Sequence, residues 1–118
     1  MFREWHDGQW VVSKKVCAKF LQRLQTLAGL PLGEWREPLF KRLHGEATGI
    51  SEIRFEYGNV QYRPLGFFSG KDEYTLLVPA IEKGSKFVPI SSIKTAQARK
   101  NEVLIDRSRT NALWLTLE

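Results

Sequence analysis

A chain of 118 residues, 42% hydrophobic and 26% charged, has the composition of one soluble globular domain spanning 1–118, which excludes intrinsic disorder. Its single cysteine, Cys17, excludes an intrachain disulfide and any cysteine-built zinc site. No apolar run approaches the roughly 18 residues of a membrane span, and the first seven residues lack a signal-peptide core, so a cytoplasmic protein with no membrane partner is expected.

Charge is uneven along the chain. Eighteen Lys and Arg against thirteen Asp and Glu give +5. Residues 13–45 hold seven basic side chains (Lys14, Lys15, Lys19, Arg23, Arg36, Lys41, Arg42) and two acidic ones (Glu34, Glu37), which is +5 in that segment alone. A small basic domain points to a polyanionic partner: nucleic acid, a ribosome or an acidic protein segment.

The first predicted element is a helix over 13–28. Ser13 is placed to cap it, and Val16, Phe20, Leu24 and Leu27 recur at helical spacing, with Cys17, Leu21 and Ala28 widening the stripe. Lys14, Lys15, Lys19 and Arg23 form the polar complement, a candidate RNA-gripping face. Gly29 and Pro31 end the helix. Pro38 allows at most a short helix after it, with Leu39, Phe40 and Leu43 facing inward; 46–49 reads as a loop.

The middle of the chain is strand-like. Ile53, Phe55 and Tyr57 alternate with Glu52, Arg54 and Glu56, so Arg54 points away from the apolar face. Gly58-Asn59 predicts a two-residue hairpin turn, because both residues tolerate positive φ. The return strand is expected over 60–68, interrupted at Pro64. Residues 69–72 turn the chain into a third strand over 73–81, followed by a loop with a basic tip over 82–89. A C-terminal helix starts near Ser91, capped by Ser91 or Ser92, with Ile93, Ala96, Val103 and Leu104 as its apolar face and fraying near Ser108. Leu113, Trp114, Leu115 and Leu117 want burial. The order gives an α+β domain: N-terminal helices, an antiparallel meander and a C-terminal helix.

Register arithmetic singles out two arginines. A two-residue turn pairs Tyr57 with Val60, and therefore Arg54 with Arg63 on one face of the sheet. Like charges directly opposite each other cost stability unless an anion or an acid sits between them. Glu52, Glu56 or a C-terminal acid is the alternative neutraliser to a bound phosphate. Lys83 and Lys86 flank Gly84-Ser85, where side chains beside glycine approach a phosphate closely. Tyr62 could stack on a base, but it faces away from Arg63 and suits the core. His6 and His44 fall outside this cluster. No Gly-rich phosphate loop, Ser/His/Asp set or metal-ligand spacing occurs, so neither a cofactor nor a metal is expected.

The ordered landmarks resemble the RelE/ParE superfamily of bacterial toxins, in its HigB-like, phage-associated branch. Gly49-Ile50-Ser51-Glu52-Ile53-Arg54-Phe55 resembles the branch's G-x-x-E-[IL]-R-F strand, and Gln61-Tyr62-Arg63 its Q-Y-R strand, followed by Phe67-Phe68. Leu76-Leu77 opens the next strand. Glu82-Lys83 and Lys86-Phe87-Val88-Pro89 resemble the basic loop and the K-x-x-P entry to the last helix. Upstream, Pro38-Leu39-Phe40-Lys41-Arg42-Leu43-His44-Gly45 resembles P-L-x-K-x-L-x-G. The resemblance implies a RelE-like fold and a toxin–antitoxin pair whose partner is a helix-turn-helix antitoxin. It implies ribosome-dependent, metal-free cleavage of mRNA by Arg, Lys and Tyr, with Arg54, Arg63, Lys83 and Lys86 as the catalytic candidates. ParE-like relatives poison DNA gyrase instead.

The chain departs from the branch at Pro79, where His is frequent, at Gly84, where a second basic residue is expected, and at Ser92, where Glu is frequent. Metal-free RNA cleavage needs a base for the 2′-OH, cations for the phosphorane and an acid for the leaving oxygen. Losing the His removes one acid or base. A toxin-fold protein that acts only by binding, on gyrase or nucleic acid, and an inactive phage remnant therefore stand as alternatives.

Overall fold

The structure, a computed structural model, describes residues 14–70 and 73–105. Ser13, His6, the turn at 71–72, the fraying near Ser108 and the apolar stretch 111–118 lie outside the described residues.

Helix α1 spans Lys14–Ala28 and buries Val16, Phe20, Leu24 and Leu27, the predicted stripe. That stripe is narrower than the sequence suggests: Cys17 is half-buried, while Leu21 and Ala28 are exposed. Trp35 clamps its C-terminal end. The indole Nε1 donates to the Leu27 carbonyl at 2.8 Å and to that of Leu30 at 3.3 Å, satisfying acceptors that the end of a helix leaves free.

Among the described residues eight short strands follow: β1 Phe40–Arg42, β2 Ser51–Ile53, β3 Phe55–Tyr57, β4 Val60–Tyr62, β5 Leu65–Gly70, β6 Glu73–Val78, β7 Ile81–Lys83 and β8 Lys86–Val88. They form two four-stranded antiparallel sheets, in the orders β1-β2-β5-β6 and β3-β4-β7-β8. One hairpin runs through both sheets. The register that pairs Tyr57 with Val60 also pairs Ser51 with Gly66, so β2–β3 and β4–β5 are the arms of one long hairpin. Gly58 (φ 59°) and Asn59 (φ 63°) make its turn, both in the left-handed region that such a turn demands.

The arms bend where Arg54 and Arg63 sit opposite each other. The Arg54 amide donates sideways to Leu39 O at 2.9 Å and the Arg63 amide to Ala80 O at 2.8 Å, while Ile53 N reaches Pro64 O at 3.0 Å. Pro64 has no N–H to return, which is why the ladder lapses there. The predicted third strand breaks in the same way at Pro79-Ala80, giving β6 and β7.

Two predictions for this region fail. No helix follows Pro38: residues 37–39 turn, and Phe40 enters β1, with Phe40 buried and Leu39 and Leu43 half-buried as expected. Nor is 82–89 a loop. Gly84 (φ 54°) and Ser85 (φ 68°) make a second two-residue turn joining β7 to β8. In place of a plain loop, residues Gly45–Ala47 form a 3-10 turn.

Helix α2, Ser92–Ile105, packs on β5 and β6. The Ser91 carbonyl accepts the first helical bond, from Thr95 N at 2.9 Å, and the buried Ser92 hydroxyl donates to Pro89 O. Ala96 and Val103 are buried and Ile93 half-buried, but Leu104 points outward. Gln97 ties α2 to the 3-10 turn through Glu46 O and Thr48 O at 3.0 and 3.2 Å. Arg99 reaches Leu77 O at 2.9 Å, a carbonyl turned aside by the bulge that shifts the β5–β6 register between Leu65 and Gly66.

The sheet therefore has two faces of different character. Strand alternation puts Phe55, Tyr57 and Tyr62 on the face beneath α1. Phe20 stacks on Phe55 at 5.5 Å, and Phe55 lies flat on Tyr62 at 4.9 Å with 8° between the rings. Further along, Trp35, Phe40, Phe68 and Tyr74 pack edge-to-face or tilted at 5.0–5.9 Å, and Arg42 lies over Phe68 at 4.9 Å. The other face carries α2 over β5 and β6 and, beside it, Glu52 of β2, Glu56 of β3, Gln61 of β4 and Glu82 of β7.

Candidate functional site

Glu52, Arg54, Gln61, Arg63 and Glu82 share that second face. Glu52 and Arg54 are two residues apart on one arm. Arg63 lies opposite Arg54, and Gln61 is register-paired with Glu82. The predicted like-charge pair is thus present, and an acid sits between its members. Arg54 Nε donates to Glu52 Oε1 at 3.2 Å, and Arg63 Nε lies 3.9 Å from Glu52 Oε2. The outer atoms are held as well. Arg54 Nη1 reaches Glu37 Oε1 at 3.1 Å. Arg63 Nη1 donates to the Tyr62 carbonyl and Nη2 to Gln61 Oε1, both at 2.9 Å. Glu82 Oε2 stands 3.4 Å from Arg63 Nε, and Lys41 Nζ 3.9 Å from Glu37 Oε1.

Burial grades this network from inside out. The side chains of Glu52 and Arg63 are 3% and 9% exposed, that of Arg54 23% and that of Glu37 59%. Three cations (Lys41, Arg54, Arg63) meet three carboxylates (Glu37, Glu52, Glu82), so the cluster carries no net charge. Burial pushes the Glu52 carboxyl above the ordinary carboxylate value, against the pull of Arg54 and Arg63. Glu52 Oε2 and Arg63 Nε face each other, buried, with no hydrogen-bond partner among the described residues. Chemically, the arrangement offers two guanidinium groups and a buried carboxylate with one uncommitted oxygen. Glu37 and Glu82, the two outer acids, would compete with a phosphate for these guanidinium groups.

The other candidates fall elsewhere. Lys83 and Lys86 are register-paired across the Gly84-Ser85 turn, and both are exposed. Alternation from Glu82 puts them on the opposite face from Arg63, so the structure does not bring the four catalytic candidates together. Tyr62 lies on that opposite face too, half-buried and stacked on Phe55. Lys14, Lys15 and Lys19 are exposed on α1. Arg23 is half-buried, with Nε unpartnered among the described residues and its guanidinium pushed below its ordinary value by burial, so it does not belong to a freely solvated basic face. His44 is exposed, away from the network.

Sequence reasoning gave Glu52 a neutralising role as one of several options and did not single out Glu82 or Glu37. The signals for Glu82 are its two-residue offset from Ala80, which lies across from Arg63, and its pairing with Gln61. Nothing local in the sequence marks Glu37, which arrives from the turn before β1. Among the described residues there is no group of His, Cys, Asp and Glu that could hold a metal ion, and no helix long and apolar enough to cross a membrane.

The fold and this face define a small α+β domain: a bent antiparallel sheet with a helix on each side and a guanidinium–carboxylate network on one face. The family model described as phage derived protein Gp49-like (DUF891) matches residues 11–101, and the chain belongs to that family. No curated protein and no solved structure matches it.

Proposed function

We propose that this chain is the toxin of a type II toxin–antitoxin pair, with a RelE-like fold, and that it blocks translation by cleaving mRNA on the ribosome. The Gp49-like family stands in the RelE/Gp49 toxin-like group, and the phage-related landmarks of the sequence point the same way. One observation carries the chemical reading: Arg54 and Arg63 stand side by side on one sheet face around the buried carboxylate of Glu52. Guanidinium forks match phosphate oxygens and stabilise a phosphorane. A carboxylate whose pKa is raised is closer to the operating pH of a general base. In this reading the outer acids Glu37 and Glu82 yield to the message. Lys83, Lys86 and the exposed lysines of α1 hold ribosomal RNA, and a helix-turn-helix antitoxin neutralises the toxin.

One feature favours a second reading, a toxin that acts only by binding, on gyrase or on nucleic acid. Arg54 Nε and Nη1 and Arg63 Nη1 and Nη2 already donate to Glu52, Glu37, the Tyr62 carbonyl and Gln61. Induction of the chain alone in bacteria separates the two. Growth arrest with new 5′ ends in cellular mRNA supports the nuclease. Arrest with intact messages and gyrase-dependent DNA breaks replaces it with the binding reading. Normal growth at confirmed soluble expression refutes both.

A further inference from the structure

Helix α1 covers only part of its sheet face. It packs on β3, with Phe20 on Phe55. Beyond β3 the same face continues over β4, β7 and β8. Tyr62 pairs with Ile81, and Ile81 with Val88, so these three side chains form an apolar row across three strands. Tyr62 and Ile81 are half-buried, Val88 is 40% exposed, and Ile90 just beyond it is 84% exposed. Three strands at about 4.8 Å spacing make a strip roughly 10–14 Å wide, the diameter of one helix with its side chains.

The rim of this strip is basic. Lys83 and Lys86 stand directly opposite each other on the same face as Ile81 and Val88. Like charges so placed destabilise a sheet unless an acid lies between them. For Arg54 and Arg63 that acid is Glu52. For Lys83 and Lys86 no ion pair exists among the described residues. An apolar strip one helix wide, ending at an uncompensated lysine pair, is complementary to one kind of surface.

We infer that the Tyr62–Ile81–Val88 face binds an acidic amphipathic helix of a partner protein, laid beside α1, with its apolar side on the strip and its carboxylates against Lys83 and Lys86. The inference rests on the toxin reading only in identifying that partner with the antitoxin. The face is opposite the Arg54–Arg63 network, so a helix bound there leaves those guanidinium groups uncovered, and neutralisation through it acts by sequestration or by blocking ribosome entry.

The test pans a display library of random 18-residue helical peptides on the immobilised full chain. Enriched peptides should carry apolar residues at i, i+3 or i+4 and i+7, flanked by Asp or Glu. Their affinity should fall at least about tenfold, or 1.4 kcal/mol, for Val88→Glu, and similarly for the double variant Lys83→Glu/Lys86→Glu. A peptide with Lys in place of its acids should recover binding to that double variant. All substitutions are at exposed positions, and unchanged circular dichroism verifies folding. Three results overturn the proposal: no enriched peptide, enriched peptides without acids, or equal binding to the variants. A fourth is nuclear Overhauser contact between the Val88 methyls and Trp5 or Trp10 in the free chain, which assigns the strip to the protein's own N-terminal segment. The readout is binding, so its failure is distinct from a failure of growth arrest.

Discussion

Removing the charge of Glu52 while keeping its shape is the sharpest perturbation of the network. In Glu52→Gln, the amide oxygen still accepts from Arg54 Nε, now 3.2 Å from Glu52 Oε1, so packing and one hydrogen bond survive. The charge between the arginines does not. Two like unit charges repel by about 4 kcal/mol at 4 Å and about 2 kcal/mol at 8 Å at an effective dielectric of 20. Solvent around Arg54, which is 23% exposed, and the nearby Glu37 and Glu82 screen part of this. The desolvation that raises the Glu52 carboxyl is relieved in the variant and returns a further part. Since that desolvation outweighs the pull of the two arginines, the single substitution should leave stability unchanged or slightly raised at neutral pH. The decisive comparison is a double-mutant cycle with Arg54→Met, read by urea unfolding. In the wild-type background Arg54→Met should destabilise the fold, because it strips a counter-charge from a carboxylate that is 3% exposed. In the Glu52→Gln background it should be neutral or stabilising, because it removes a repulsion. An equal cost in both backgrounds would show that Glu52 does not mediate between the two arginines.

The titration of Glu52 gives a second prediction. Its folded pKa lies above the ordinary carboxylate value, so the folded state holds this proton more tightly than the unfolded chain does. Its contribution to stability is present below the ordinary carboxylate range and is lost as pH rises from there through the raised value. The stability of the wild type relative to Glu52→Gln should therefore decline with pH across that window in urea melts, and a difference that rises with pH contradicts it. Gly66→Ala should cost about 2–3 kcal/mol by chemical denaturation, because its Cβ would lie 2.5 Å from Thr75 O and 2.6 Å from the Tyr74 ring; a neutral result would mean that β5 and β6 can part freely. Trp35→Phe keeps the ring on Phe40 but loses the indole donor to Leu27 O, and should cost about 1 kcal/mol with earlier fraying of the α1 C-terminus by hydrogen exchange.

What the sequence made legible was whatever a short window encodes. The α1 stripe needs only its own 15 residues. The Gly58-Asn59 hairpin needs only a turn that admits positive φ at both positions, and from it the Arg54–Arg63 juxtaposition follows by counting. Strand β1 was not legible, because Leu39, Phe40 and Leu43 after Pro38 fit a helical turn as well as a strand; pairing of Phe40 with Ile53, distant in sequence, decides the matter. Strand β8 was hidden for the same reason. Lys86–Val88 is three residues long, and only its pairing with β7 distinguishes it from a loop. Leu104, read as apolar face, stands about 100° round the helix from Val103, so that Val103 is buried and Leu104 is exposed. The candidate site was half legible. Its two arginines came from register arithmetic, but the separation of Lys83 and Lys86 onto the other face depends on the β7–β8 pairing. Glu37 enters through a tertiary contact that no local pattern records.

The central claim is that Arg63 acts on RNA from this network. Purified protein added to a translating ribosome extract, followed by primer extension along the message, tests it most directly. Wild-type protein should create discrete 5′ ends, and Arg63→Ala should reduce them at least about a hundredfold, roughly 3 kcal/mol of transition-state stabilisation. Ribosome binding should fall far less, because many phosphate contacts share that affinity, and Arg63→Lys should recover only part of the cleavage, since a point charge does not reproduce the guanidinium fork. Uncut message with folded, ribosome-bound wild-type protein would contradict the account.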